Sequence, residues 1–392
     1  MAMEKIKTAV IGCGMISNIY IKNFQNLFSV IDLVAVCDNY AVNAQEKSER
    51  FGVPIMTMEQ IKADPEIRLC VNLTGPAAHY AVIRELLEAG KNVFTEKMLC
   101  TDFEQGKALV ALARKKGLYL GVAPDTFLGA GLQTARLLID RGMIGQVTSA
   151  RATINRSQAL NSELFRFIRN PGGGFAYDVG VYYITALLSL LGPVKKVTGF
   201  VSEAKEHEAH ILRAGDYGTS WRTADNNLYT GALLFESGAV GTLHLDGESI
   251  DEEQPALVIY GTEGILKLGD PNSFCGYVRL IRNNTAEVEM PFTHGYTGSP
   301  LYGPETPADY GQHRGVGAAE MAWAMLGKRS HRASAELGLH TMELLCGLDR
   351  SSAEGIVYDM TTTFNQPAPL PSGYTDLILG GARADAEGAL VR

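Results

Sequence analysis

A chain of 392 residues is too long for one ordinary domain, and its 46% hydrophobic and 20% charged side chains exclude a disordered or fibrous protein. A formal net charge of −8 without any Lys/Arg-rich run leaves no track for a phosphate backbone, so nucleic acid is not an expected partner. Six cysteines without a C-x-x-C pair argue against a zinc knuckle or a disulfide framework, and no uncharged apolar run is long enough to cross a bilayer. The expectation is a cytoplasmic protein with no metal and no membrane partner.

In chain order, the first third alternates short apolar runs with helical patterns. Lys7–Gly12 leads through a Gly-rich turn into a helical stretch ending near Leu27, followed by the apolar run Ile31–Asp38. A polar helical segment, Val42–Phe51, precedes the short run Val53–Met56. Then come Leu69–Leu73, helix-like His79–Ala89, Asn92–Phe94, helix-like Asp102–Lys116 and Tyr119–Val122. Strands and helices alternating at this spacing predict right-handed βαβ units in a doubly wound parallel sheet. The remainder carries longer strand-like runs at Val147–Asn155, Val194–Ser202, Leu228–Phe235 and Ala239–Asp246, with tight-turn signals at Ser237-Gly238 and Thr262-Glu263-Gly264. A helix is expected at about Asp178–Leu191, and two more at Val316–Leu326 and Ala335–Ala353, the last capped by Ser334. Gly295–Gln312 reads as an irregular loop, and the residues from about Gly380 as a mobile end. The fold class is therefore α/β: an N-terminal Rossmann domain over 1–124 and a C-terminal α+β domain over 125–392 with a large, mostly antiparallel sheet.

Gly12-Cys13-Gly14-Met15-Ile16-Ser17 follows a strand and opens a helix. Gly12 permits a sharp turn, Gly14 presents no side chain to an approaching pyrophosphate, and the helix N-terminus offers free N–H groups and partial positive charge. Ser17 replaces the usual third small residue. Asp38, at the end of the second strand, is placed to accept hydrogen bonds from an adenosine ribose and to repel a 2′-phosphate. NAD is the expected cofactor, with NADP the alternative.

Three further strings extend the pattern: Thr74-Gly75-Pro76-Ala77-Ala78-His79, Glu96-Lys97-Met98, and Gly172-Gly173-Gly174 followed by Asp178-Val179-Gly180-Val181-Tyr182. In order and spacing the sequence resembles the glucose–fructose oxidoreductase / inositol dehydrogenase family (Gfo/Idh/MocA), in a variant with tyrosine where the D-x-G-x-H motif has histidine. The resemblance covers nearly the whole chain. It implies a dehydrogenase moving hydride between the nicotinamide cofactor and a secondary alcohol of a sugar or polyol. It assigns Lys97 to the substrate hydroxyl, Asp178 to orienting substrate, and Tyr182 to proton exchange with its phenol made more acidic by Lys97. Gly12, Gly14, Met15, Ile16, Asp38, Thr74, His79, Glu96 and Lys97 would line the cofactor. The glycine triplet would let backbone approach a ligand.

Two departures stand out. Met98 replaces the family's proline, and Thr185 replaces its second acidic residue. Asp125, Thr126, Arg151, Asn155, Arg166, Arg169 and His294 are weaker candidates for a sugar pocket, while His207 and His210 read as surface residues. Relatives also imply a homodimer or homotetramer. They leave two rival readings, glycoside cleavage through transient oxidation and a non-catalytic NAD-sensing regulator.

Overall fold

The structure, a computed structural model, describes residues 4–211, 215–251, 255–283, 285–297 and 312–373. Most of the expected loop at Gly295–Gln312, and the chain end beyond Gly380, lie outside the described residues. The N-terminal part holds strands β1 (Ile6–Ile11), β2 (Ile31–Cys37), β3 (Leu69–Asn72), β4 (Asn92–Thr95) and β5 (Leu120–Val122). All pair in parallel in the order β2-β1-β3-β4-β5. Their near-continuous burial is what a sheet covered on both faces requires. Helices α1 (Ser17–Asn26), α2 (Ala41–Phe51), α3 (Met58–Ala63), α4 (Pro76–Glu88) and α5 (Phe103–Lys116) form the connections. Residues Val53–Met56 make only an isolated bridge, between Ile55 and Val36.

Helix α6 (Ala130–Asp140) leads into the second sheet through β6 (Val147–Asn155). Short α7 (Ala159–Leu164) and buried α8 (Val181–Leu191) precede β7 (Val194–Glu203). A small hairpin pairs β8 (His207–Glu208) with β9 (Ser220–Trp221), where His207 stacks on Trp221 and bonds Glu248 at 2.8 Å. His207 is thus partly buried, not a plain surface residue. The large sheet continues with β10 (Asn226–Phe235), β11 (Val240–Asp246), β12 (Leu257–Gly261), β13 (Gly264–Leu268), β14 (Val278–Arg282) and β15 (Val288–Glu289). Helices α9 (Val316–Gly327) and α10 (Ala335–Glu354) and strand β16 (Tyr358–Asp359) complete the described elements. The nine strands run β15-β14-β13-β12-β6-β11-β10-β7-β16, antiparallel except for the β6–β11 pair.

Helix α8 is apolar on every side, as a helix enclosed by other elements must be. It sits between the large sheet and helices α6 and α10, and the turn that precedes it carries Asp178 to Lys97, just beyond β4. Helix α10 crosses β7 and also reaches β5 and α5, so the C-terminal helices pack back on the Rossmann sheet. Ser334 caps it, accepting the Leu337 N–H at 3.3 Å.

On α10, the buried Glu343 accepts the N–H groups of Thr361 and Thr362 at 2.7 and 2.8 Å, both threonine hydroxyls, and the Tyr358 hydroxyl at 3.1 Å. Burial opposes its charge, but these donors prevail and hold the carboxyl below its usual range. A depressed carboxylate stabilises the fold above its unfolded value of about 4.3, and that contribution disappears as pH falls through the lower folded value. Glu343→Gln should cost about 2–4 kcal/mol by urea denaturation at neutral pH, because its NH2 would face donors. The deficit should shrink under acid.

Candidate active site

At the end of β1 the chain turns at Gly12, whose φ is +94° and whose N–H donates to the Cys37 carbonyl at 2.8 Å. A Cβ at Gly14 would meet nothing within 4 Å, so the loop there faces open space. Met15 is exposed and Ile16 half-buried, and the first turn of α1 carries no side-chain cap on its N–H groups. Asp38 accepts the N–H of Cys13 at 2.7 Å and of Tyr40 at 2.8 Å, which fixes its carboxylate beside the glycine loop. An open glycine loop, uncapped helical N–H groups and a fixed carboxylate fit a dinucleotide.

Thr74 bonds back to Asn72, its hydroxyl at 2.8 Å from Oδ1. His79 is fully buried, its ring nitrogens 2.6 Å from the Met98 carbonyl and 2.9 Å from that of Thr74. Burial lowers its proton affinity. It ties the β3 and β4 loops together instead of facing a ligand. Glu96 also turns inward, accepting the Tyr20 hydroxyl at 2.7 Å and the Lys97 N–H at 3.0 Å.

Lys97 emerges just beyond β4, through a cis Lys97–Met98 peptide. Its ammonium forms an ion pair with the Asp178 carboxylate, donates to the Asp178 carbonyl at 2.9 Å, and lies 5.6 Å from the Tyr182 ring centre. The structure thus brings Lys97, Asp178 and Tyr182 together. Burial disfavours the lysine charge, but Asp178, Tyr182 and Glu96 outweigh it and raise Lys97 above its ordinary range. Lys97 is a standing cation, not a base. For Tyr182 the expected acidification is corrected: burial drives the phenol up, beyond what Arg314 and Lys97 pull down. The backbone also differs from a plain α-helix, because Ala176–Gly180 form a wide π-type turn and α8 begins at Val181. Gly180 sits on that turn because a Cβ there would lie 2.5 Å from Leu245 Cδ1.

The glycine triplet is a second correction. A Cβ at Gly173 would lie 2.2 Å from the Phe167 carbonyl oxygen, one at Gly174 2.6 Å from Asp225 Cβ, and one at Gly172 2.5 Å from Thr101. Asp225 accepts the Gly174 N–H at 2.8 Å. The triplet makes room for the chain's own packing. The weaker candidates are largely committed elsewhere: Arg166 and Arg169 to Asp216, His294 to Thr293 and the Leu370 carbonyl, and Asn155 to Ser249. Asp125 accepts the N–H of Gly315 at 2.9 Å and of Gly317 at 3.1 Å; burial raises it to about 6, against the pull of Arg314.

Two residues at the site carry no sequence signature. Gln158, buried, donates to Asp178 Oδ2 at 3.3 Å and has a buried carbonyl oxygen with no partner among the described residues. Arg314 lies 5.4 Å from the Tyr182 ring centre. No group of three or more His, Cys, Asp and Glu among the described residues is placed to hold a metal ion, and no described helix is long and apolar enough to cross a membrane.

The glycine loop at the carboxyl end of β1 in a parallel sheet, with a Lys–Asp–Tyr cluster between the end of β4 and the start of α8, defines a Rossmann-type dinucleotide-binding protein with an appended α+β domain. Residues 6–123 match the model described as an oxidoreductase family with an NAD-binding Rossmann fold, GFO_IDH_MocA, and residues 132–267 match the GFO/IDH/MocA C-terminal domain. The chain belongs to the GFO/IDH/MocA family.

It is 30% identical over 211 residues to an uncharacterized oxidoreductase of Schizosaccharomyces pombe, covering 52% of this chain and 56% of that one. It is 25% identical over 312 residues to the NADP(+) scyllo-inositol 2-dehydrogenase of Bacillus subtilis, covering 75% and 83%. The chain spans about half the length of the first two curated relatives it matches, 56% and 55%. Among solved structures, levoglucosan dehydrogenase in complex with NADH shares the fold with a TM-score of 0.76 at 18% identity, covering 92% of this chain and 100% of that one.

Proposed function

We propose that the chain is an NAD-dependent dehydrogenase acting on a secondary alcohol of a sugar, polyol or related carbohydrate, with NADP as the lesser cofactor. The observation that carries this reading is the convergence of the Lys97 ammonium, the Asp178 carboxylate and the Tyr182 ring beside the carboxyl end of β4. When bound, the dinucleotide accepts or supplies the hydride. Asp178 orients the substrate's hydroxyls, and Lys97 stabilises the negative charge that grows on the reacting oxygen. Tyr182 takes the hydroxyl proton in oxidation and returns one in reduction. Asp38 sets a fixed negative charge where a 2′-phosphate would lie, which favours NAD. Gly12, Gly14, Met15, Ile16 and Thr74 line the cofactor in this proposal. Glu96 and His79 hold its surroundings.

The proposal includes a division at residue 124, a homodimer or homotetramer, and a cytoplasmic location. Names among the relatives support the substrate class: inositol, glucoside and D-xylose dehydrogenases recur. A panel of sugars, inositols and sugar acids, incubated with NAD or NADP and read at the nicotinamide absorbance, tests it. NADH accumulation with at least one polyol is the expected result. Glycoside cleavage without NADH, or dinucleotide binding with no turnover on the panel, would overturn it.

A further inference from the structure

Arg314 lies just before α9, at the end of a segment that Asp125 anchors through the Gly315 and Gly317 N–H groups. It is 7% exposed, so its guanidinium has been withdrawn from water at considerable cost. Its hydrogen-bond partners are neutral amides: Nε donates to Gln312 Oε1 and Nη2 to Asn272 Oδ1, each at 3.0 Å. Among the described residues no carboxylate lies within ion-pair distance of it. Its guanidinium carbon instead lies 5.4 Å from the Tyr182 ring centre, close to the 5.6 Å of the Lys97 ammonium from the same ring. Among the described residues the guanidinium's hydrogen-bond partners are all neutral, and the oxygen of Tyr182 becomes an anion near it whenever its proton leaves.

We propose that Arg314 is a second cation of the proton-exchange site, a positioning residue that stabilises the Tyr182 phenolate together with Lys97. This rests on the reading of Tyr182 as the proton-exchanging group.

The charge balance around the phenol explains why two cations are needed. Burial disfavours phenolate most, and Glu96, reached from the end of β4, and Asp178, on the turn before α8, disfavour it further. Lys97 is already paired with Asp178, so much of its field is spent there. Among the charged and titratable groups around Arg314, Tyr182 acts on it most strongly, ahead of Glu96, Tyr20 and Asp125. Asn272 fixes its direction: the same residue's N–H donates to Asp270 at 2.9 Å, and Asp270 accepts the Tyr183 hydroxyl at 3.1 Å. The guanidinium is therefore linked to the helix that carries the phenol it faces.

The test reads the phenol itself. With 3-fluorotyrosine introduced at position 182, fluorine NMR follows its ionisation in the intact chain, with and without saturating NAD. Arg314→Met should raise the midpoint by about one pH unit or more, a tenfold loss of phenolate at a given pH. Arg314→Lys should recover most of that shift. Asn272→Ala, which only unhooks the guanidinium, should give a smaller rise and serves if Arg314→Met fails to fold by circular dichroism. An unchanged midpoint in a folded Arg314→Met protein, or in Asn272→Ala should the former not fold, would overturn the proposal. Fluorine shifts as expected in a chain that oxidises no polyol would instead reject the dehydrogenase reading and leave only the stabilisation of the Tyr182 phenolate by Arg314 standing.

Discussion

Lys97→Met is expected to lower turnover by roughly 10²–10⁴-fold, and Tyr182→Phe by a similar factor, while dinucleotide affinity stays within a few-fold of the parent. The two losses have different causes. Methionine removes the charge proposed to face the reacting oxygen and strands the Asp178 carboxylate, which would lose its ammonium partner. Phenylalanine keeps the ring and its packing but removes the oxygen proposed to exchange the proton. Neither change touches the Gly12 loop or Asp38, which lie at the ends of β1 and β2. Steady-state rates with the best polyol of the panel, beside calorimetric titration with NAD, separate turnover from binding. Normal turnover in either variant removes the site assignment. The pH dependence follows from the raised phenol. Tyr182 accepts a proton only when ionised, so alcohol oxidation should accelerate as pH climbs through the alkaline range. The reverse reaction needs the protonated phenol and should stay level until pH exceeds the ordinary tyrosine value of about 10. Lys97, raised above its own usual range, stays charged across both profiles.

The parallel sheet was legible because its strands are short apolar runs punctuated by turn residues, and β1, β2 and β4 start or end within a residue or two of those runs. The cluster was legible because Lys97, Asp178 and Tyr182 each sit in a short motif whose spacing survives intact. Other features follow from packing that no local window contains. Helix α6 was missed because Gly129 and Gly131 break its start, and its burial depends on the strands it later meets. Strand β14 reads as Val-Arg-Leu-Ile-Arg, a pattern too mixed to mark without its neighbour β13. Gly172–Gly174 looked like a ligand approach, yet the close neighbours that require glycine there are Thr101, Phe167 and Asp225. Arg314 is the sharpest case. Nothing in Gln312-His313-Arg314-Gly315 distinguishes it, and it comes near Tyr182 next to residues whose N–H groups Asp125, far away in sequence, accepts.

Gly12→Ala and Gly14→Ala form a pair whose contrast tests the cofactor site more sharply than either alone. At Gly12 the backbone holds φ at +94°, and a Cβ would fall 2.7 Å from both the Leu73 carbonyl carbon and the Thr74 nitrogen. Those neighbours are main chain at the end of β3, with no flexible side chain to swing aside. Left-handed strain of roughly 1–2 kcal/mol and overpacking of about 1–3 kcal/mol should therefore add, lowering stability by about 2–5 kcal/mol. Relief of the clash would displace the loop, and with it the bonds from Gly12 to the Cys37 carbonyl and from Cys13 to Asp38. Binding of NAD should fall along with stability. At Gly14 the same methyl group meets nothing within 4 Å, so the fold has no reason to weaken. Gly14→Ala should keep its melting temperature and still lose affinity for NAD by about tenfold or more, because the methyl occupies space that the pyrophosphate needs. Thermal unfolding and calorimetric titration of both proteins decide the matter. Full affinity in Gly14→Ala would mean that the phosphates do not approach this loop, since a side chain placed in that open space would then have cost binding nothing.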